Sequence, residues 1–143
     1  MKTNNVQKEY GMPATLLKKA HEAKAEAYAP YSGFQVGAAL RTHDGRYFTG
    51  CNVENAAYGS SMCAERVAIF KAVSEGYGPG DFTHLAVAAN AEGFSPCGAC
   101  RQIMAEFGIK EVIFEWHGQP VVAPLETLLP HAFTLTQNNG DQA

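Results

Sequence analysis

The sequence has no run approaching the ~18 consecutive apolar residues that a membrane span needs, and residues 1–10 are polar where a signal peptide would carry an apolar core. It also lacks an excess of positive charge. Eleven Lys and Arg against fourteen Asp and Glu give a formal net charge of -3, so no overall basic field draws in nucleic acid or an anionic membrane surface. Internal repeats and low-complexity linkers are missing too, which argues against solenoids and tethered modules. These absences predict a cytoplasmic protein with no nucleic-acid and no membrane partner. Cysteine is scarce, at four residues. In a reducing compartment their spacing is read for metal binding or catalysis before disulfides.

What is present is one domain's worth of core-forming sequence. The 143 residues, 46% hydrophobic and 17% charged, are globular in composition and about the size of one compact domain. Met1–Gly11 shows no apolar periodicity and Gln137–Ala143 is polar. The expected domain is therefore 13–135, with 1–12 and 136–143 as flexible termini. Pro13 suits the first turn of a helix, and Leu16, Leu17, Ala20, Ala23 and Ala27 follow on one face until Pro30. Phe34–Thr42 and Tyr47–Cys51, joined across Asp44-Gly45, read as a hairpin, and Asn52–Met62 as a loop. A helix is expected from Cys63, on Val67, Phe70 and Val73, with Gly76 as its stop. The continuous apolar run in Phe82–Ala89 predicts a strand covered on both faces. Cys97–Phe107 then reads as a helix, Glu111–Trp116 as a strand and Leu125–Leu129 as a last helical turn. This order predicts an α/β fold, a three-layer α/β/α arrangement about a mixed central sheet.

Three of the cysteines open predicted helices: Cys63 the second, and Cys97 and Cys100 the third, within Ser95-Pro96-Cys97-Gly98-Ala99-Cys100. Helix N-termini carry partial positive charge and unpaired N–H groups, which favour thiolate over thiol. If the two helices lie side by side, Cys63 completes a three-sulfur face with the Cys-x-x-Cys pair. Competing readings are a redox Cys-x-x-Cys, which gives Cys63 no role, and a closed structural zinc that recruits Cys51 but leaves Glu65 without a function. A third is that these are small buried hydrophobes, the ordinary fate of free cysteine; Cys51, at the end of an apolar strand, is left as core. Glu65, two residues after Cys63, favours the open site. A three-ligand zinc keeps its fourth position for water and lowers that water's pKa towards ~7, and an adjacent carboxylate then moves protons. Cys63-Ala64-Glu65 followed by Pro-Cys-x-x-Cys is the layout of the zinc deaminases.

At this point the chain resembles the short-chain homotetrameric cytidine deaminases. The resemblance is carried by Tyr28-Ala29-Pro30-Tyr31-Ser32, Phe34-Gln35-Val36-Gly37-Ala38-Ala39, Gly50-Cys51-Asn52-Val53-Glu54-Asn55, Cys63-Ala64-Glu65-Arg66 and Ser95-Pro96-Cys97-Gly98-Ala99-Cys100-Arg101-Gln102. It implies one zinc per chain held by Cys63, Cys97 and Cys100, with Glu65 as proton shuttle. It implies Phe34 packing against the base, Asn52 and Glu54 at the ribose 3'-hydroxyl, and the Ala64 N–H and Ser95 carbonyl at the base edge. Phe133 is implied as an aromatic lent by a neighbouring subunit, and Tyr58 as a residue that reaches across a subunit boundary. Three thiolates outweigh the charge of zinc; the two helix N-termini offset part of the excess, and the resemblance places Arg66 against the thiolates, where it would draw off the rest. The implied activity is hydrolytic deamination of cytidine and 2'-deoxycytidine, within pyrimidine salvage. A deaminase of modified or polymeric cytosine and a structural four-cysteine zinc module are the readings left open beside it.

Overall fold

A computed structural model describes residues 4–135, with side chains from residue 11 onward. Helix α1 (Asn4–Lys24) leads into the antiparallel pair β1 (Val36–Thr42) and β2 (Tyr47–Cys51). After a short 3-10 turn at Tyr58–Ser60 come α2 (Ala64–Ser74), β3 (Phe82–Ala89), α3 (Gly98–Glu106) and β4 (Glu111–Trp116). The antiparallel edge strand β5 (Gln119–Pro124) and the turn α4 (Leu125–Leu128) complete the domain. The sheet runs β2-β1-β3-β4-β5, with β3 and β4 parallel and every other pair antiparallel. This is the expected mixed sheet.

Alternation along β1 and β3 sorts side chains to the two faces. Val36, Ala38, Leu40, Leu85 and Val87 join residues of α2 and α3 in one buried cluster. On the other face Ala39, Ala86, Ala88 and Ile113 meet Leu16 and Ala20 of α1. The sheet is therefore covered on both sides, as the apolar run in β3 predicts.

Three details differ from expectation. The first helix begins at Asn4, so most of the segment expected to be a loose leader is helical, and Pro13 lies inside it instead of in its first turn. Proline has a helical φ already and forfeits one backbone donor, here towards the Glu9 carbonyl, which leaves the helix able to continue upstream. The expectations for Met1–Thr3 and for 136–143 lie outside the described residues. The helix also ends at Lys24, short of Ala27. Second, the apolar stripe that predicts α2 is its outer side: Phe70 and Val73 are exposed, and the buried face is Ala64, Ala68, Ile69 and Ala72. Third, β5 is a strand that no sequence pattern announces. Its hairpin with β4 turns on His117 and Gly118, both at positive φ, the backbone of a two-residue primed turn. Pro120 and Pro124 are tolerated because β5 is an edge strand.

The small face of α2 lets it lie almost on the sheet. A Cβ at Gly50 would come 2.5 Å from the Ala64 carbonyl oxygen and 2.6 Å from the Ala68 nitrogen, distances no side chain tolerates. Gly50 thereby fixes where the N-terminus of α2 sits. Gly50→Ala is expected to push α2 off β2 at a cost of about 1–3 kcal/mol. Urea denaturation measures it, and an unchanged midpoint would contradict the close approach.

Candidate metal centre and substrate cavity

Cys63 and Cys97 are the N-cap residues of α2 and α3, with extended backbone (ψ 149° and 167°), and Cys100 lies in the first turn of α3. Neither N-cap side chain makes a capping hydrogen bond, so the sulfurs are not engaged by the backbone N–H groups of their helices. The three Sγ atoms lie within 4.8 Å of one another. Cys51 is outside this group: its Sγ donates to the Glu26 carbonyl at 3.4 Å, and burial pushes its thiol pKa up. A four-cysteine closed site is therefore not what the chain builds. No histidine joins the cluster among the described residues; His21, His43 and His84 pair instead with Glu115, Asp81 and Glu111.

The electrostatics favour a cation at the cluster. The Cys63 thiol is pulled down to about 5, chiefly by the hydrogen bond from the Cys100 thiol and then by Arg66, against the opposing effect of burial. Arg66 Nη2 donates to Cys63 Sγ at 3.1 Å. Cys100, which donates a hydrogen bond to that thiolate and is itself buried beside Glu65, is held well above the usual thiol range. Glu65 is 2% exposed, and burial raises its carboxyl pKa. A second thiolate beside the first needs a compensating positive charge. Soft sulfur donors select zinc among common biological ions, and a tetrahedral zinc with Zn–S bonds of about 2.3 Å keeps its sulfurs about 3.8 Å apart. The donors fit such an ion in kind and in spacing.

Cys63, Cys97 and Glu65 face a cavity of about 450 Å³, the size of a small-molecule site. Phe34, Asn52, Glu54, Tyr58, Ala64, Arg66 and Ser95 line it as well, so nearly all the expected site residues converge. Phe34 packs on Phe94, with ring centroids 5.8 Å apart. Asn52 does local work: its Oδ1 accepts the Val36 N–H at 2.8 Å and its Nδ2 donates to the Phe34 carbonyl at 2.7 Å, which leaves one amide hydrogen for other use. Glu54 Oε1 accepts the N–H groups of Tyr31 and Ser32 at 3.0 and 3.1 Å, and Oε2 accepts the Ser32 hydroxyl at 2.6 Å. These bonds, the Ser32 hydroxyl foremost, hold its pKa below the usual carboxylate range.

Two expected contributors are largely exposed, and one of them lies outside the cavity. Tyr58 is 63% exposed at the mouth of its own chain's cavity. Phe133 is 68% exposed and does not line that cavity; its carbonyl accepts a hydrogen bond from Gln102 Nε2 at 2.9 Å.

Several supporting residues go unmarked in the sequence. Arg101 donates to the Pro96 and Leu128 carbonyls at 2.7 and 2.6 Å and to Ser95 Oγ at 3.0 Å, clamping the turn that carries Ser95 and Cys97. Its place four residues after Cys97, on a helix whose side chains lean towards the N-terminus, is the one signal available. Asn90 accepts the Gln35 N–H at 3.1 Å and donates to the Gly33 carbonyl at 3.2 Å, holding the Phe34 loop from the opposite side; nothing in its sequence context marks it.

The geometry agrees with what the chain is similar to. The family model of the cytidine and deoxycytidylate deaminase zinc-binding region matches residues 12–116. A cytidine deaminase of Sporosarcina psychrophila is 46% identical over 123 residues, 83% of this chain and 89% of the relative. One of Halalkalibacterium halodurans is 46% identical over 128 residues, 87% and 96% of the two chains. Among solved structures, cytidine deaminase from Burkholderia pseudomallei is 50% identical with a TM-score of 0.80, over 84% of this chain and 98% of that one. The Mycobacterium tuberculosis enzyme is 41% identical with a TM-score of 0.73, over 85% and 97%. The family match spans most of the chain and takes in all three clustered cysteines and Glu65, and the chain belongs to the cytidine and deoxycytidylate deaminase family of zinc-binding enzymes.

Proposed function

We propose that this protein hydrolyses cytidine and 2'-deoxycytidine to uridine and 2'-deoxyuridine with release of ammonia, a pyrimidine-salvage reaction, with one zinc per chain on Cys63, Cys97 and Cys100. The observation that carries this reading is a three-thiol cluster at two helix N-termini, of which Cys63 and Cys97 face a nucleoside-sized cavity together with one buried carboxylate. Relatives bearing the name cytidine deaminase at 42–50% identity support it. When bound, zinc acts as a Lewis acid that makes water nucleophilic near neutral pH.

Glu65 supplies the proton transfers. A carboxylate whose pKa is raised by burial takes one proton of the attacking water and delivers it to N3 of cytosine, which makes C4 electrophilic; it then takes the remaining proton of the new C4 hydroxyl and passes it to the amine, so that the C4 carbonyl forms as ammonia leaves. Arg66, hydrogen-bonded to Cys63 Sγ, draws negative charge off sulfur. Phe34, backed by Phe94, packs on the base. Ala64 is the first residue of α2, so its N–H has no intrahelical partner and is available to the base edge, opposite the Ser95 carbonyl.

Glu54 and the remaining amide hydrogen of Asn52 serve the ribose 3'-hydroxyl. A carboxylate accepts a bond from a free hydroxyl, whereas a phosphodiester at that oxygen has no proton to give and brings like charge. Free nucleosides are therefore the substrates, and polynucleotides are not. No helix among the described residues is long and apolar enough to cross a membrane, and reduced thiols suit the cytoplasm.

The reading extends to a homotetramer. Phe133, exposed and outside its own cavity, is available to a neighbour. Tyr58 stands at the cavity mouth, where a subunit boundary would meet it, and the exposed Phe70 and Val73 on α2 are apolar surface that association would cover.

Three measurements test this. Metal analysis is expected to find about one zinc per chain, retained in Cys51→Ser and lost in Cys97→Ala; loss of zinc from Cys51→Ser would refute the three-thiol site. Glu65→Gln is expected to keep zinc and lose roughly 100- to 10,000-fold in kcat, measured by ammonia release; near-normal turnover would remove Glu65 from the reaction. Sedimentation at assay concentration is expected to give a tetramer, and a fully active monomer would rule out shared sites.

A further inference from the structure

Ser32 has no part in the chemistry described so far, yet its hydroxyl links two walls of the cavity. It donates to Glu54 Oε2 at 2.6 Å and accepts the Phe34 backbone N–H at 3.0 Å. A hydroxyl has one proton and a freely turning rotor. With Phe34 N–H on a lone pair, that proton is directed at Glu54. The geometry depends on Gly33, whose φ of 70° lets the chain fold back so that Ser32 Oγ meets the nitrogen two residues on.

The two oxygens of Glu54 are held differently. Oε1 takes both backbone N–H groups, from Tyr31 and Ser32. Those bonds alone pin one oxygen and leave the other free to swing about it. Oε2 accepts the Ser32 hydroxyl, and a carboxylate oxygen keeps a second lone pair. Glu54 is 7% exposed and lines the cavity, so the direction of that lone pair decides whether it meets a sugar.

We propose that Ser32 is a positioning residue for sugar recognition: its hydroxyl fixes Glu54 Oε2 so that the remaining lone pair faces the nucleoside 3'-hydroxyl. This rests on the assignment of Glu54 to that hydroxyl. Phe34 loses one acceptor for its N–H with the hydroxyl but keeps its anchors, because its carbonyl is held by Asn52 and the neighbouring Gln35 and Gly33 by Asn90. Loss of the hydroxyl is therefore felt at the sugar and not at the base. The backbone donors to Oε1 survive any side chain at position 32, and Ser32 is exposed, so the fold does not rely on it.

The test compares cytidine with 3'-deoxycytidine, which lacks the hydroxyl concerned, in the wild type, Ser32→Ala, Ser32→Thr and Glu54→Gln, each checked for zinc content and melting temperature. Ser32→Ala is expected to raise KM for cytidine roughly tenfold, the scale of one bond to a charged group, with kcat within about twofold. For 3'-deoxycytidine its KM should stay within about twofold of wild type, and Ser32→Thr should restore the cytidine value. An equal loss on both substrates would mean that the hydroxyl only holds the loop, and no loss on either would mean that Glu54 needs no such support; each overturns the proposal. Glu54→Gln separates the two layers of inference. If it weakens cytidine and spares 3'-deoxycytidine, the 3'-hydroxyl assignment stands whatever Ser32 does; if it affects both alike, that assignment fails and the role of Ser32 falls with it.

Discussion

Everything in the cavity depends on two helix N-termini arriving at one point. A cluster of three sulfurs within 4.8 Å beside a 2%-exposed carboxylate is a concentration of prospective negative charge that a folded chain does not hold unaided. The positive ends of α2 and α3 reduce that burden before any ion is bound, and Arg66 reduces it further at Cys63. The convergence is a consequence of packing. α2 reaches the meeting point because Ala64, Ala68 and Ala72 let it lie against β2, where Gly50 leaves no side chain in the way. α3 arrives from the crossover between the parallel strands β3 and β4, so its N-terminus sits at the carboxyl end of β3, the usual end for ligand sites in such sheets.

Around this centre the walls are loops, and each loop is held by side chains that bond to backbone. Asn52 and Asn90 grip the segment before β1 from two sides. Arg101 makes three bonds that span the Ser95 turn and the end of α4. A loop left to itself samples many conformations, and each ordered residue costs about 1–2 kcal/mol of backbone entropy; anchoring bonds of this kind let loop atoms serve as binding groups. Asn52 shows that structural and functional roles of one residue need not compete. Two of its polar positions hold the Phe34 loop, and one amide hydrogen is left on a residue that lines the cavity.

How legible a feature is depends on the kind of signal it leaves. β3 and β4 are readable to the residue because an apolar run of strand length between turn residues suits a covered strand and little else. The three thiols with Glu65 are readable because helix-opening cysteines beside a carboxylate seldom coincide by chance. The hidden features are those in which small or polar residues do the work. The buried face of α2 is largely alanine, which carries almost no hydrophobic signal, so the periodicity that identifies the helix comes from the half-buried Val67 at the edge of that face and from the exposed Phe70 and Val73. β5 stays hidden because its two prolines suggest a loop, although an edge strand tolerates them. The roles of Ser32, Asn90 and Arg101 are hidden because each has a partner 22, 57 or 27 residues away in sequence, which no local pattern encodes even where the residue lies in a segment that carries the resemblance.

The same contacts bear on the proposed sharing of sites between subunits. The cavity is walled by residues 32–97 of its own chain, while the aromatic at position 133 is exposed away from it. That terminal segment is nevertheless tied to the metal-bearing helix: Gln102, two residues after Cys100, holds the Phe133 carbonyl, and Arg101 holds that of Leu128. In the proposed tetramer, the helix that supplies two thiols to one site thus also sets the position of the aromatic offered to the next. A displacement of α3 would then be felt at two sites, its own through the sulfurs and its neighbour's through Phe133.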